Sequence, residues 1–123
     1  MTEIPSLLRL ASDAAKHAAA RQTVIATNVA NADTPGYRAR DMAPFQPAST
    51  EMPLNRTHPG HLAGTSRSAR VFQESGTPAD PNGNTVSLQD QVLLGVEATR
   101  AHNRAVTIYK SSLDMLRASI GRN

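Results

Sequence analysis

Apolar residues recur every three or four positions near the start of the chain, with polar residues between them. This spacing predicts an amphipathic helix with one narrow apolar stripe. The stripe consists of Leu8, Ala11, Ala15, Ala18, Ile25 and Val29. Because half of these residues are alanine, we expect this helix to approach its neighbour closely.

A second stripe lies at the end of the chain and predicts a helix from about 87 to 120. Its positions alternate steps of four and three residues, a repeat typical of a coiled-coil seam. Its large members are Leu88, Val92, Val106, Tyr109, Leu113, Leu116 and Ile120. The seam is weak at Gly95, Thr99 and His102, where we expect a bend or a change of packing partner. Thr85 or Ser87 is the expected N-cap, and Gly121 the expected stop.

The first helix is predicted to end in a tight turn. Thr34 precedes a proline and is pushed toward extended geometry. Pro35 fixes φ at the second position of a turn, and Gly36 supplies the positive φ that a type II turn needs next. The side chains that can cap the loosened helix end are those of Asn28, Asn31 and Asp33.

The fold class that follows is mainly α, with N- and C-terminal helices forming a coiled-coil-like unit. Residues 1–37 make the first helix and turn, and 86–123 the second helix; together they form one domain. Between them, residues 38–85 hold six of the eight prolines and four of the seven glycines. This segment is expected to be a long, largely irregular arm that orders on assembly. Alternation at 70–73 is too brief to predict a sheet.

Composition favours a small accessory protein. The 123 residues leave room for at most one domain, and two Phe, two Tyr and no Trp make a large rigid core unlikely. We therefore expect a partly disordered monomer that completes its core against other subunits. The absence of cysteine excludes disulfides and thiolate metal sites.

Net charge and hydropathy exclude few further classes of protein. The net charge is +3, and the arginines are dispersed rather than clustered, whereas nucleic-acid binders concentrate them on one face. A small helical adaptor or nucleic-acid-associated protein stays an alternative, and it predicts salt-sensitive binding. No apolar run approaches the roughly 20 residues that span a bilayer, and no signal-peptide pattern opens the chain.

Candidate chemistry is sparse. His58 and His61 have the spacing of two metal ligands, but no further ligand lies nearby, so no metal or cofactor is predicted. His17 and His102 are interpreted as residues of the helix seam or its flank. No catalytic motif of the common hydrolase, phosphate-binding or metalloprotease kind occurs, and no enzyme is predicted.

The string Ala26-Thr-Asn-Val-Ala-Asn-Ala-Asp-Thr-Pro-Gly-Tyr37 resembles the N-terminal signature of the axial proteins of the bacterial flagellum, which form the rod, the hook and related parts. Its turn residues are Asn28, Asn31, Asp33, Thr34, Pro35, Gly36 and Tyr37. The shortness of the chain resembles the two short proximal rod proteins, and the string Gly83-Asn-Thr-Val-Ser-Leu88 favours one of these two. Similar chains more often carry acidic residues where this one has Ser87, Gln89 and Gln91.

The resemblance implies a structural subunit of the flagellar basal body that assembles into the drive shaft across the periplasm. The implied partners are other copies of the chain, other rod proteins, the adaptor that joins the rod to the membrane ring, and the flagellar type III export apparatus. Proteins of this kind are exported without a cleaved signal peptide. The resemblance implies neither a nucleic acid nor a small-molecule substrate, and the stripes on both helices would then serve helix packing and assembly.

Overall fold

Two long helices form most of the structure. The computed structural model describes residues 3–47, 72–74 and 76–121. Helix α1 spans Glu3–Ala30 and helix α2 spans Leu88–Ile120, with short strands β1 (Arg40–Met42) and β2 (Phe72–Glu74) between them. The side chain of Gln22 on α1 donates to Thr99 on α2 at 3.1 Å, and Asn28 donates to Gln91 at 3.0 Å, so the helices run antiparallel. The predicted mainly α chain with packed terminal helices is confirmed.

Small side chains occupy the centre of the helix interface. On α2 the buried residues recur at every seventh position, and they are Gln91, Ala98, Ala105 and Ser112. On α1 they are Ala11, Ala18 and Ile25, followed by Asn28. A seven-residue repeat keeps one line of each helix turned toward its partner. With alanine and serine on that line, the two helices can approach closely.

The large apolar residues of α2 flank this buried line. Val106, Leu113 and Leu116 are half-buried, whereas the other large residues of the predicted seam, Leu88, Val92, Tyr109 and Ile120, are exposed. The predicted seam is therefore rotated about the helix axis relative to the line that faces α1. The physical reason for this rotation is the size of the side chains. Small side chains lie nearest the partner helix because they allow the two helix axes to come close. Whether the flanking residues serve assembly stays a prediction.

The stripe of α1 matches the interface more closely, and α2 is continuous. Leu8 and Ala15 are half-buried beside the three buried stripe residues, and Val29 is exposed. Helix α2 continues unbroken through the weak part of its predicted seam. There the side-chain amide of Gln22 on α1 donates to the hydroxyl of Thr99 at 3.1 Å, so α2 keeps α1 as its packing partner at this point.

Local chemistry defines both ends of α2. Ser87 is the N-cap, and its hydroxyl accepts a hydrogen bond from the N–H of Asp90 at 3.4 Å. Thr85, the other expected cap, accepts instead from the N–H of Ala39 at 2.8 Å. At the far end the N–H of Gly121 donates to the carbonyl of Arg117 at 2.8 Å. The expected stop therefore lies directly after the last helical residue.

The described part of the central arm includes one short pair of strands. Strands β1 and β2 are antiparallel, with Arg40 opposite Glu74, and β1 packs against α1. The sequence pattern was too short to predict this pairing. Residues 48–71 and 75, with His58 and His61 among them, lie outside the described residues. Neither α1 nor α2 is long and apolar enough to cross a membrane.

The closely packed seam predicts how substitutions of alanine behave. Ala98 is 1% exposed, so Ala98→Leu forces the helices apart and should lower the free energy of unfolding by about 1–3 kcal/mol. The control Ala101→Leu, on the exposed face of the same helix, should change it by less than about 0.5 kcal/mol. Urea unfolding followed by circular dichroism measures both. Equal midpoints for the two variants would contradict the assigned seam.

Candidate functional site

The chain reverses direction after α1 in a turn formed by residues 34–37. The N–H of Tyr37 donates to the carbonyl of Thr34 at 3.2 Å, and Gly36 has a φ of +73°, as expected of a type II turn. The side chain of Asn31 caps the helix end by donating to the carbonyl of Thr27 at 2.8 Å. Asp33, also expected to cap, is exposed.

A second loop, residues 80–86, lies against this turn. The N–H of Gly36 donates to the carbonyl of Asn82, and the N–H of Thr85 donates to the carbonyl of Tyr37, both at 3.0 Å. Gly83 has a φ of +84°, and a Cβ added to it would lie 3.4 Å from Cα of Gly36. The two loops thus meet at a pair of glycines. We call residues 28–40 together with 80–91 the turn clamp.

Asn84 ties the loop before α2 to the end of α1. Its side-chain amide donates to three backbone carbonyls, those of Asn31 at 3.0 Å, Ala32 at 2.9 Å and Thr34 at 2.8 Å. Its side-chain oxygen accepts from the N–H of Val86 at 2.7 Å. All three carbonyls lie in the segment that directly follows α1, which ends at Ala30. One buried side chain therefore holds this segment and the second loop together.

Asn28 connects four parts of the clamp. It is fully buried, and its amide donates to the carbonyl of Arg40 at 2.7 Å and to the side-chain oxygen of Gln91 at 3.0 Å. Its oxygen accepts from the N–H of Arg40 and the hydroxyl of Tyr37, each at 3.1 Å. Two donors and two lone pairs are the whole capacity of an asparagine amide. The side chain thus joins α1, the turn, β1 and α2 with none of its capacity unused.

An ion pair fastens β1 to α1 beside the clamp. Two nitrogens of Arg21 donate to the two carboxylate oxygens of Asp41 at 2.9 and 2.8 Å, and Glu97 lies 3.6 Å from a third. Burial acts to raise the pKa of Asp41, but hydrogen bonds from Arg21 and the N–H of Met42, together with nearby positive charge, hold it below its usual value. Such a lowered pKa stabilises the fold above the carboxyl pKa of the unfolded chain, and this contribution is lost as the pH falls through the lowered value.

The clamp directs its polar groups at the chain itself. Every buried side-chain nitrogen or oxygen among the described residues has a hydrogen-bond partner. The same residues contain no group of three or more side chains able to hold a metal ion. This arrangement fixes the backbone geometry of the turn and of the loop before α2.

The structure brings most of the predicted turn residues together, but the sequence did not reveal what they contact. The sequence assigned no contact to Asn84 or Gln91, and it predicted Thr85 as a possible N-cap of α2 and not as a partner of Ala39. The two loops that form the clamp were both visible in the sequence as motifs. These motifs are the turn string and the string Gly83–Leu88, and each contains a glycine. Nothing in their spacing showed that they touch.

Two antiparallel helices with a closely packed seam, joined at one end by a polar clamp, define a small helical protein. Residues 8–38, which contain most of α1 and the turn, match the family model described as flagella basal body rod protein. The flagellar basal body rod protein FlgB of Agrobacterium fabrum is 30% identical over 125 residues, covering 94% of this chain and 93% of that protein.

Two further relatives match over a shorter stretch. FlgB of Escherichia coli is 48% identical and FlgB of Salmonella typhimurium 45% identical, each over 42 residues that cover 34% of this chain and 30% of the relative. The chain belongs to the FlgB family of flagellar basal body rod proteins. The family is structural, and the resemblance to one of the two short proximal rod proteins, FlgB rather than FlgC, is confirmed.

The buried amide of Asn28 predicts a large effect of an isosteric change. Asn28→Asp keeps the acceptor oxygen but replaces both N–H donors with an oxygen that faces two acceptors, which should lower the free energy of unfolding by roughly 2–4 kcal/mol. The control Asn103→Asp, exposed on α2, should have little effect. Urea unfolding at neutral pH compares the two, and equal midpoints would refute the role of Asn28.

The positive φ of the paired glycines predicts a cost for an added Cβ. Gly36→Ala and Gly83→Ala should each lower the free energy of unfolding by about 1–2 kcal/mol, because φ is positive at both positions. Gly76→Ala is the matched control, since it has no positive φ and no atom within 4 Å of an added Cβ. Thermal unfolding of the three variants measures the losses. A loss for Gly76→Ala as large as for Gly36→Ala and Gly83→Ala would contradict the role assigned to the positive φ of the two loop glycines.

Proposed function

We propose that the chain is a proximal rod subunit that assembles with copies of itself and with other rod proteins into the shaft that transmits torque across the periplasm. The observation that carries this proposal is the turn clamp, in which the two strings that resemble rod proteins lie against each other. The likeness to a FlgB protein over nearly the whole chain supports it further.

The helix pair suits a mechanical role because its register is fixed. A sliding of α2 along α1 would separate Asn28 from Gln91 and leave one N–H of the Asn28 amide and the side-chain oxygen of Gln91 buried without a partner. An unsatisfied buried polar group costs about 1–3 kcal/mol, so the two helices resist shear at this end. A subunit that resists shear can pass a load to its neighbours without changing shape.

The exposed apolar residues are the proposed contacts with neighbouring subunits. Leu88, Val92, Tyr109 and Ile120 on α2 and Val29 on α1 present apolar surface to solvent in the single chain. Copies stacked laterally through such surfaces, and related by a rotation that does not close, form a helical tube. In this arrangement the turn redirects the chain from an inner helix to the outer arm, residues 38–85.

The remaining partners follow from the family resemblance. The adaptor between rod and membrane ring would contact the subunit at the base of the shaft. The flagellar type III apparatus would export the chain without a cleaved signal peptide. The subunit would act as a structural part and not as an enzyme.

Deletion of the gene in its bacterium tests the proposed function. We expect loss of motility, and basal bodies with membrane rings but no rod in electron micrographs. Expression of the intact gene from a plasmid should restore the rod. Intact, rotating flagella in the deletion strain would contradict the proposal.

A variant of the plasmid-borne gene tests the turn itself. Deletion of Asp33–Gly36 removes most of the turn but no residue of either helix, so helix content should stay nearly unchanged while assembly fails. Circular dichroism of the purified protein and imaging of the complemented strain measure the two effects. Normal rods from this variant would rule out the proposed role of the turn.

A further inference from the structure

A concave surface lies between α1 and β1. We call it the α1–β1 groove; its volume is about 610 Å³. Ala19, Ala20, Val24 and Met42 supply apolar lining, and the charged residues that line it, Lys16 and Arg40, are both basic and exposed. Within the described part of the chain, neither of these cations has an acidic partner at salt-bridge distance. The groove therefore fits an apolar segment that carries negative charge.

The first turns of α2 offer a surface of that chemistry. Val92, Leu93 and Val96 are 65%, 68% and 47% exposed, and Asp90 is exposed beside them. Steps of three residues place Asp90, Leu93 and Val96 on one side of the helix, with Val92 at its edge, and we call this side the outer ridge. Like the two groove cations, Asp90 has no partner of opposite charge in the described residues.

We propose that the outer ridge of one copy docks in the α1–β1 groove of a second copy, with Asp90 facing Lys16 and Arg40. An amphipathic helix that lays its apolar side into a groove is a common mode of recognition. Charge complementarity favours a second copy as the occupant, because one chain carries both the basic groove and the acidic ridge. The inference rests on the proposed function and names one of its subunit contacts.

The contact joins two different surfaces, so each copy keeps one groove and one ridge available for further copies. A heterologous contact of this kind grows into an open helical array unless its rotation closes a ring. Such growth is what a rod-forming subunit requires. The clamp bears on the contact as well, because it fixes the start of α2 relative to β1.

Sedimentation velocity of the full-length chain at several concentrations and low salt tests the contact. The groove variant Lys16→Glu/Arg40→Glu and the ridge variant Asp90→Lys should each self-associate at least about fivefold more weakly than the wild type. The control Asp114→Lys, an exposed acid at the other end of α2, should associate as the wild type does. Absence of self-association in the wild type, or an equal loss in the control, would overturn the proposal.

Mixing the two variants sharpens the test. The groove variant retains an intact ridge and the ridge variant an intact groove, and the two altered surfaces are again opposite in charge. A mixture should therefore self-associate at close to the wild-type affinity, although neither variant does so alone. Circular dichroism verifies that both variants keep the helix content of the wild type. No pairing in a mixture of two folded variants would refute the contact.

Disulfide trapping gives a second readout that does not depend on charge. The chain has no cysteine, so a mixture of Arg40→Cys and Asp90→Cys chains should form a mixed disulfide on mild oxidation. A mixture of Arg40→Cys and Asp114→Cys chains should not. Equal trapping in both mixtures would overturn the assignment of the ridge.

The outcomes separate this contact from the proposed function. If the deletion strain lacks rods and the chain shows no groove-dependent association, the rod function stands and the contact is refuted. If the association behaves as expected but the deletion strain builds normal rods, the contact stands as a property of the protein in solution, and its place in a rod is refuted.

Discussion

The buried amide of Asn28 is the constraint on which the rest of this fold depends. A side-chain amide removed from water has to find partners for two donors and two acceptor positions, or the folded state loses stability. Here the partners come from the turn, β1 and α2, and they satisfy the amide only in one arrangement. The same amide therefore fixes three features together. These are the position of the turn, the point where the chain leaves the turn, and the register of the two helices.

The contacts of Asn28 are needed because the helix interface does not by itself fix the register of the two helices. Alanine and serine on the facing lines allow close approach, but a seam of small residues can slide with little change in packing. Large apolar side chains, which supply most of the burial energy in ordinary helical proteins, stay on the flanks of α2. Register therefore comes from polar contacts at one end, while the apolar surface is left for neighbours. This division of roles suits a subunit whose stability is completed by assembly.

The sequence predicted the parts of this fold that depend on neighbouring residues. Periodicity predicted both helices, the proline and glycine after α1 predicted the turn, and Gly121 the end of α2, while the N-cap was left between Thr85 and Ser87. It could not predict contacts between residues far apart in the chain, and Asn84 and Gln91 acquire their roles only through such contacts. Periodicity also cannot tell which of two adjacent stripes faces the partner, and on α2 the more apolar stripe lies beside the interface rather than at its centre.

Amide hydrogen exchange measures most directly whether the clamp holds the helix pair together. The amides of Gly36, Ala39, Arg40 and Thr85 all donate across the clamp, two of them to side chains and two to carbonyls of the opposite loop. If the clamp and the helix interface form one cooperative unit, these loop amides should be as protected as the amide of Ala98 at the centre of the seam. Rapid exchange of the loop amides alongside protected helices would show that the helices pair without the clamp, and would contradict this account.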